Sequence, residues 1–170
     1  MNVREMFEFQ YNIGVDVSGR TGDAQNLKDT MESESNLYRI RREKPIQPKS
    51  LARLTSNIFH SQRFFPYIVS IILGGIGDEG PKLYFLDPAG GQLEEEKFAC
   101  GGSGSSVAYG VLEQNYEEGL GEREALELAT QSIQQAIERD AATGDNILVA
   151  KIDEDGFQEI EGSKIEEYKK

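Results

Sequence analysis

The spacing of apolar residues along this chain switches repeatedly between a helical and a strand period, and the switches divide it into elements. Residues Phe7 to Val17 mix apolar and polar positions around Asn12 and Gly14, which predicts a strand, or a hairpin bent near Tyr11 to Gly14. SGRTGD then breaks the pattern. From Asp23 to about Arg42 the positions Ala24, Leu27, Met31 and Tyr38 keep roughly helical spacing. Arg39, Arg41 and Arg42 gather in its last turn, where cations suit the helix dipole. Pro45 and Pro48 interrupt that helix. A second follows with Leu51, Leu54, Ile58 and Phe59 on one face, ending before Pro66.

The next stretch, YIVSIILGGIGDEGPKLYFLDPAGGQLEEEKFAC, holds three apolar or alternating runs separated by Gly-rich and Pro-rich turns. It predicts an antiparallel meander whose first run is apolar enough to be buried on both faces. GGSGSS leads into a short helix, SSVAYGVLEQNY. The segment GEREALELATQSIQQAIERD reads as a long amphipathic helix with a stripe of Leu126, Ala129, Ile133 and Ala136. NILVAKI and FQEIEG then form a hairpin around DEDG. The order is strand, two helices, meander, two helices, hairpin. That is an α+β chain in which each helix pair is expected to cover one face of a sheet layer.

Length and composition narrow what such a chain does. With 170 residues it suits one domain, residues 1–170, with the tail from about 161 on the surface. No run approaches the roughly 18 apolar residues of a membrane span, and MNVREMFEFQ puts charge where a signal peptide is apolar. A soluble, cytoplasmic protein is expected. One cysteine and one histidine exclude a disulfide framework and a clustered Cys/His zinc site, so no metal or cofactor is expected. Cys100 reads as a small buried hydrophobe. The formal charge of −12 repels nucleic acid phosphates and anionic membranes, so neither is an expected partner.

Several short motifs admit two readings. GGIGDEG is a formal G-x-G-x-x-G, but the strand PKLYFLD follows instead of a helix, so it reads as a hairpin turn rather than a phosphate cradle. GGSGSS reads as a tight turn with Ser103 or Ser105 as helix N-cap, or as a close backbone approach to a reactive group with Ser103 offering a hydroxyl. RDAATGDN has the same ambiguity: Asp140 ends a helix and Gly144 fits the left-handed position beyond it, or Asp140 and Thr143 belong to a reaction centre. The run Glu94 to Glu96 and the tail EEYKK read as solvated surface, and Tyr38, Phe64, Phe65 and Tyr67 as core and interface packing.

Taken together, SGRTGDAQ, NLYRIRRE, LTSNIFHSQRFFPY, ILGGI, YFLDPAGG, GSGSSVAYGVLE and RDAATGDNI occur in an order and at a spacing that resemble proteasome beta subunits of the archaeal type, from about Met6 to Ile160. The resemblance implies the N-terminal nucleophile hydrolase fold, a four-layer αββα sandwich. It further implies seven-membered beta rings flanked by alpha rings around a proteolytic chamber, unfolded polypeptides as substrates, and indirect cooperation with a regulatory ATPase. In that family a mature N-terminal threonine attacks the peptide carbonyl through its hydroxyl while its own amine acts as base. Carried over residue by residue, Ser103 matches the serine beside the nucleophile and Asp140 the aspartate that orients it. Thr143 falls where another serine is usual. Gly19 matches the glycine whose N–H faces the oxyanion. Val17, Thr21 and Phe7 fall on positions that shape the pocket for the residue before the cut.

The departure from the family pattern lies at the front. Met1 falls where the family's third strand begins, so the first β-hairpin, the threonine and an early aspartate are not matched, and the lysine position falls on or next to Glu5 with Arg4 beside it. No Gly-Thr pair, the junction cleaved in the family, occurs in the sequence. The expectation is an N-terminally incomplete beta subunit, inactive alone, with strand edges and apolar surface left uncovered and a tendency to aggregate. A non-catalytic ring subunit is the alternative.

Overall fold

A computed structural model describes residues 6–10, 12–144 and 146–169. Arg4, Glu5 and Tyr11 lie outside the described residues. The chain divides into two units, Met1–Ala99 with Ile152–Phe157, and Cys100–Lys151 with Gln158–Lys170.

The first unit is a five-stranded antiparallel meander under two helices. Strands β1 (Met6–Phe9), β2 (Ile13–Gly19), β3 (Val69–Gly77), β4 (Gly80–Leu86) and β5 (Gln92–Glu95) lie in sequence order across the sheet. The opening segment is therefore the hairpin of the two options. Helices α1 (Thr21–Arg42) and α2 (Pro48–Ser61) fill the long crossing from β2 to β3. Pro48 starts α2, where its missing N–H costs nothing. Strand alternation decides which face is buried: Ile13, Val15 and Val17 of β2 and Val69, Ile71 and Leu73 of β3 are all at most 2% exposed. They meet Leu27 and Met31 of α1 and Leu51, Ala52 and Phe59 of α2 in one core.

The opposite face of β3 is only half-buried, so that strand alternates where burial on both faces was predicted. Cover there comes in part from the 152–157 hairpin tip. Ile152 and Phe157 approach so closely that a Cβ on Gly14 would lie 3.0 Å from each. GGIGDEG is the β3–β4 hairpin turn, with Gly80 at φ 89°. The β4–β5 turn docks on α2 through Ser56, whose hydroxyl donates to the Gly90 carbonyl at 2.7 Å. Tyr38 and Tyr67 pack on the core, but Phe64 and Phe65 are 77% and 87% exposed and take no part in it.

The second unit is built on helices α3 (Ser105–Asn115) and α4 (Glu122–Arg139), which pack on each other, and a short C-terminal helix α5 (Gly162–Tyr168). Three expectations change here. The predicted α4 stripe fails at two of four positions, since Ala129 is exposed and Ile133 is 41% exposed. The inward residues are Leu126, Leu128, Thr130, Ser132 and Ala136. Thr130 and Ser132 bury their hydroxyls by donating back to the Leu126 and Ala129 carbonyls at 2.7 and 2.8 Å, which removes the penalty of facing inward. The tail is not plain surface either: Ile165 is buried against Leu126 and Val149, with Tyr168 beside them. Finally, the strand predicted from Asn146 begins at Ala150, because β6 (Ala150–Asp153) has only the four-residue β7 (Gly156–Glu159) to pair with. One bond from the Ile160 N–H to the Val149 carbonyl, 2.8 Å, extends that hairpin. Among the described residues no helix is long and apolar enough to cross a membrane.

Candidate functional site

The residues that carry the proteolytic resemblance fall in two places. In the second unit, GGSGSS is a turn whose geometry depends on Gly102 at φ 81°. Neither Ser103 nor Ser105 caps α3. The N-cap is Gly104, at φ −80° and ψ 2°, with no side-chain cap bond, and Ser105 is the first helical residue. Ser103 is thus left exposed on the turn with its hydroxyl directed to Asp140.

Asp140 closes α4. Its N–H still donates to the Ala136 carbonyl at 2.8 Å, while its own backbone is extended at φ −119° and ψ 110°. Gly144 is not in the left-handed conformation predicted for it. The helix is stopped instead by an aspartate turn: the Ala142 N–H donates to Asp140 Oδ1 at 3.2 Å and the Thr143 N–H to the Asp140 carbonyl at 3.1 Å. That turn brings the Thr143 hydroxyl to Asp140 Oδ2 at 2.7 Å. Asp140 and Thr143 therefore form one cluster, the carboxylate accepting from one hydroxyl and one amide, with Ser103 beside it. Hydrogen bonds from Ser103 first, then Thr143, then the Ala142 N–H hold the Asp140 carboxyl below its ordinary acidity range.

The other four positions lie in the first unit. Val17 is buried on the core face of β2, opposite Ile71. Gly19 ends β2 at φ 135°, and Thr21 is the exposed first residue of α1. Phe7 lies opposite Val15 on the same sheet face as Val17, half-buried, with the Lys28 ammonium 5.2 Å above its ring. Two contacts around Gly19 were not visible in the sequence. The Arg20 N–H donates to the Ile68 carbonyl at 2.9 Å, and Asp23 Oδ2 accepts from the Ile68 N–H at 3.0 Å. In the sequence Asp23 marks only the start of the helical spacing, because its partner is 45 residues away.

Cys100 is half-buried, and burial pushes its thiol up to about 11, which keeps it protonated and unreactive near neutrality. Among the described residues no group of His, Cys, Asp or Glu has the arrangement of a metal site.

The pattern of the proteasome subunit family matches residues 1–152, a span that runs through both units. Proteasome subunit beta of Archaeoglobus fulgidus is 42% identical over 164 residues, covering 96% of this chain and 77% of the relative. Proteasome subunit beta of Ferroglobus placidus is 42% identical over 163 residues, 96% of this chain and 78% of the relative. That of Methanohalophilus mahii is 40% identical over 163 residues, with the same shares. A meander under a helix pair, a hydroxyl and carboxylate cluster where α3 begins and α4 ends, and identity of this extent together establish that the chain belongs to the proteasome subunit family, as a subunit of the beta type.

Proposed function

We propose that this beta subunit belongs to a threonine-type peptidase centre of a proteasome core particle, to which the 170 residues supply Asp140, Ser103 and Thr143 as supporting side chains and in which the threonine nucleophile is matched by none of them. The observation that carries the proposal is the Asp140 carboxylate, which accepts from the Thr143 hydroxyl at 2.7 Å and is held below its ordinary acidity range by Ser103 first and Thr143 next. A threonine nucleophile whose own amine is the base needs a fixed anion nearby to orient that amine and stabilise it once protonated. Asp140 supplies the anion, and the two hydroxyls restrict its orientation. In the acyl-transfer step the threonine Oγ bonds to the peptide carbonyl carbon and its proton passes to the amine. The carbonyl electrons move onto oxygen, and collapse of that adduct expels the leaving amine, which takes the proton; Gly19 is assigned as the N–H donor to that oxygen on the family resemblance alone. Val17, Thr21 and Phe7 bound the pocket for the side chain before the cut. Partners under this reading are other beta subunits in a seven-membered ring, an alpha ring, and unfolded polypeptides delivered by a regulatory ATPase.

A second reading, a ring subunit that contributes contacts and no catalysis, is favoured by the resemblance itself, in which the family's lysine position falls on or next to Glu5 with Arg4 beside it. One experiment separates the two. Native particles carrying this subunit are treated with a peptide epoxyketone, which requires both a hydroxyl and a free amine on one threonine. An adduct on this subunit, abolished by Asp140→Asn in particles of unchanged mass, is the expected result. Particles that neither hydrolyse peptides nor take the adduct leave the structural role standing.

A further inference from the structure

Gly104 is buried at the start of α3, in a backbone conformation that any residue adopts, at φ −80°. Its lack of a side chain is therefore not a conformational requirement, in contrast to Gly102. The requirement is space. A Cβ built on Gly104 would lie 2.7 Å from the Thr143 hydroxyl oxygen and 2.8 Å from the Ala136 Cβ, both well inside van der Waals contact. Those two atoms bracket the end of α4: the Ala136 carbonyl holds the Asp140 N–H, and the Thr143 hydroxyl is bonded to the Asp140 carboxylate at 2.7 Å.

We infer that Gly104 is a positioning residue, whose missing side chain lets the end of α4 close against the α3 turn so that Thr143 and Ser103 reach the same carboxylate. The inference rests on the peptidase reading above for its consequence in activity, and on packing alone for its geometry. A methyl group at residue 104 meets a helical Ala136 that is 2% exposed and cannot retreat, and a Thr143 side chain that can rotate once its bond to Asp140 is given up, so the Thr143 hydroxyl is the atom that yields.

Two variants test it, Gly104→Ala and the size exchange Gly104→Ala with Ala136→Gly, each in the assembled particle. In Gly104→Ala, the Thr143 Oγ1 to Asp140 Oδ2 separation, read from a structure of the variant particle, is expected to open from 2.7 Å to beyond hydrogen-bond length. Peptide kcat should fall by about 10²-fold, the scale of a misplaced supporting group, with KM changed less than about twofold. The exchange variant returns the hydrogen bond and most of kcat. A Gly104→Ala particle that keeps the 2.7 Å bond overturns the inference, whether or not the wild type is active. So does a broken bond that the exchange fails to restore, or a failure of both variants to yield particles, since glycine would then serve folding alone. An intact geometric response in a wild-type particle without peptidase activity removes the peptidase reading and leaves the packing role in place.

Discussion

Gly19→Ala places a methyl group where the backbone has no freedom to receive it. At φ 135° only glycine is at ease, and holding another residue there costs about 1–3 kcal/mol. The new Cβ would also lie 2.8 Å from the Val69 Cα and closer still to the Ile68 carbonyl oxygen. Neither can retreat freely: the Ile68 carbonyl accepts the Arg20 N–H, its N–H donates to Asp23, and Val69 is the register partner of Gly19 itself. Relief breaks at least one of these hydrogen bonds, worth about 1 kcal/mol, for a total of about 2–4 kcal/mol. In a protein of this size that lowers Tm by about 4–16 °C. Gly22→Ala is the control: Gly22 lies in the first turn of α1 with nothing within 4 Å of its Cβ position, and should gain up to about 1 kcal/mol. Calorimetry on the two variants beside wild type reads both signs. A Gly19→Ala protein within about 1 kcal/mol of wild type, or two variants that shift together, would refute the argument that this junction is sterically closed.

Removing either hydroxyl from the Asp140 cluster, by Ser103→Ala or Thr143→Val, is expected to raise the acidity midpoint of that carboxyl toward its ordinary 3.8, the serine change more than the threonine one. Because the folded-state value is depressed, the associated stability is present above 3.8 and is lost as pH falls through the folded midpoint; carbon-13 titration of the side-chain carboxyl checks the shift, and an unmoved midpoint in both variants contradicts it. Ile165→Ala should cost about 2–3 kcal/mol locally, because a seven-residue helix has no stability apart from its contacts, so amides of 162–168 exchange faster while those of β2 and β3 do not change.

Much of this architecture was legible wherever burial follows side-chain polarity. The helix pair, the Pro48 start of α2 and the meander order all follow from residues whose local preference and tertiary environment agree. The errors fall where they disagree. Thr130 and Ser132 count as polar in a periodicity, yet each satisfies its hydroxyl within its own helix and turns inward, rotating the buried face of α4 away from Ala129 and Ile133. Ile165 lies among charged residues, and only its distant partners Leu126 and Val149 make it a core residue. For the site, resemblance singled out Ser103, Asp140 and Thr143, while local chemistry set the end of α4 at Asp140, where it lies, but misassigned the N-cap of α3 and the role of Gly144. Gly104 caps in place of the serines, and an aspartate turn does what Gly144 was expected to do. Short-range rules rank each residue by its usual task, and here the serine's hydroxyl is committed elsewhere.

That commitment shows why the bland and the chemical readings of RDAATGDN are not rivals. The bonds that end α4, from the Ala142 and Thr143 amides to Asp140, also fix the direction of the Asp140 carboxylate, and only with that direction fixed does the Thr143 hydroxyl lie at 2.7 Å. The turn is the scaffold of the cluster, so loosening it must alter folding and acidity together. Ser103 stands outside this coupling: it is exposed, caps nothing, and reaches Asp140 from a separate turn that depends on Gly102. Removing its hydroxyl lets the Asp140 acidity move back toward the ordinary value while both helices keep their caps. Ser103 thus bears on the acidity of Asp140 without bearing on the end of α4, whereas Thr143 bears on both.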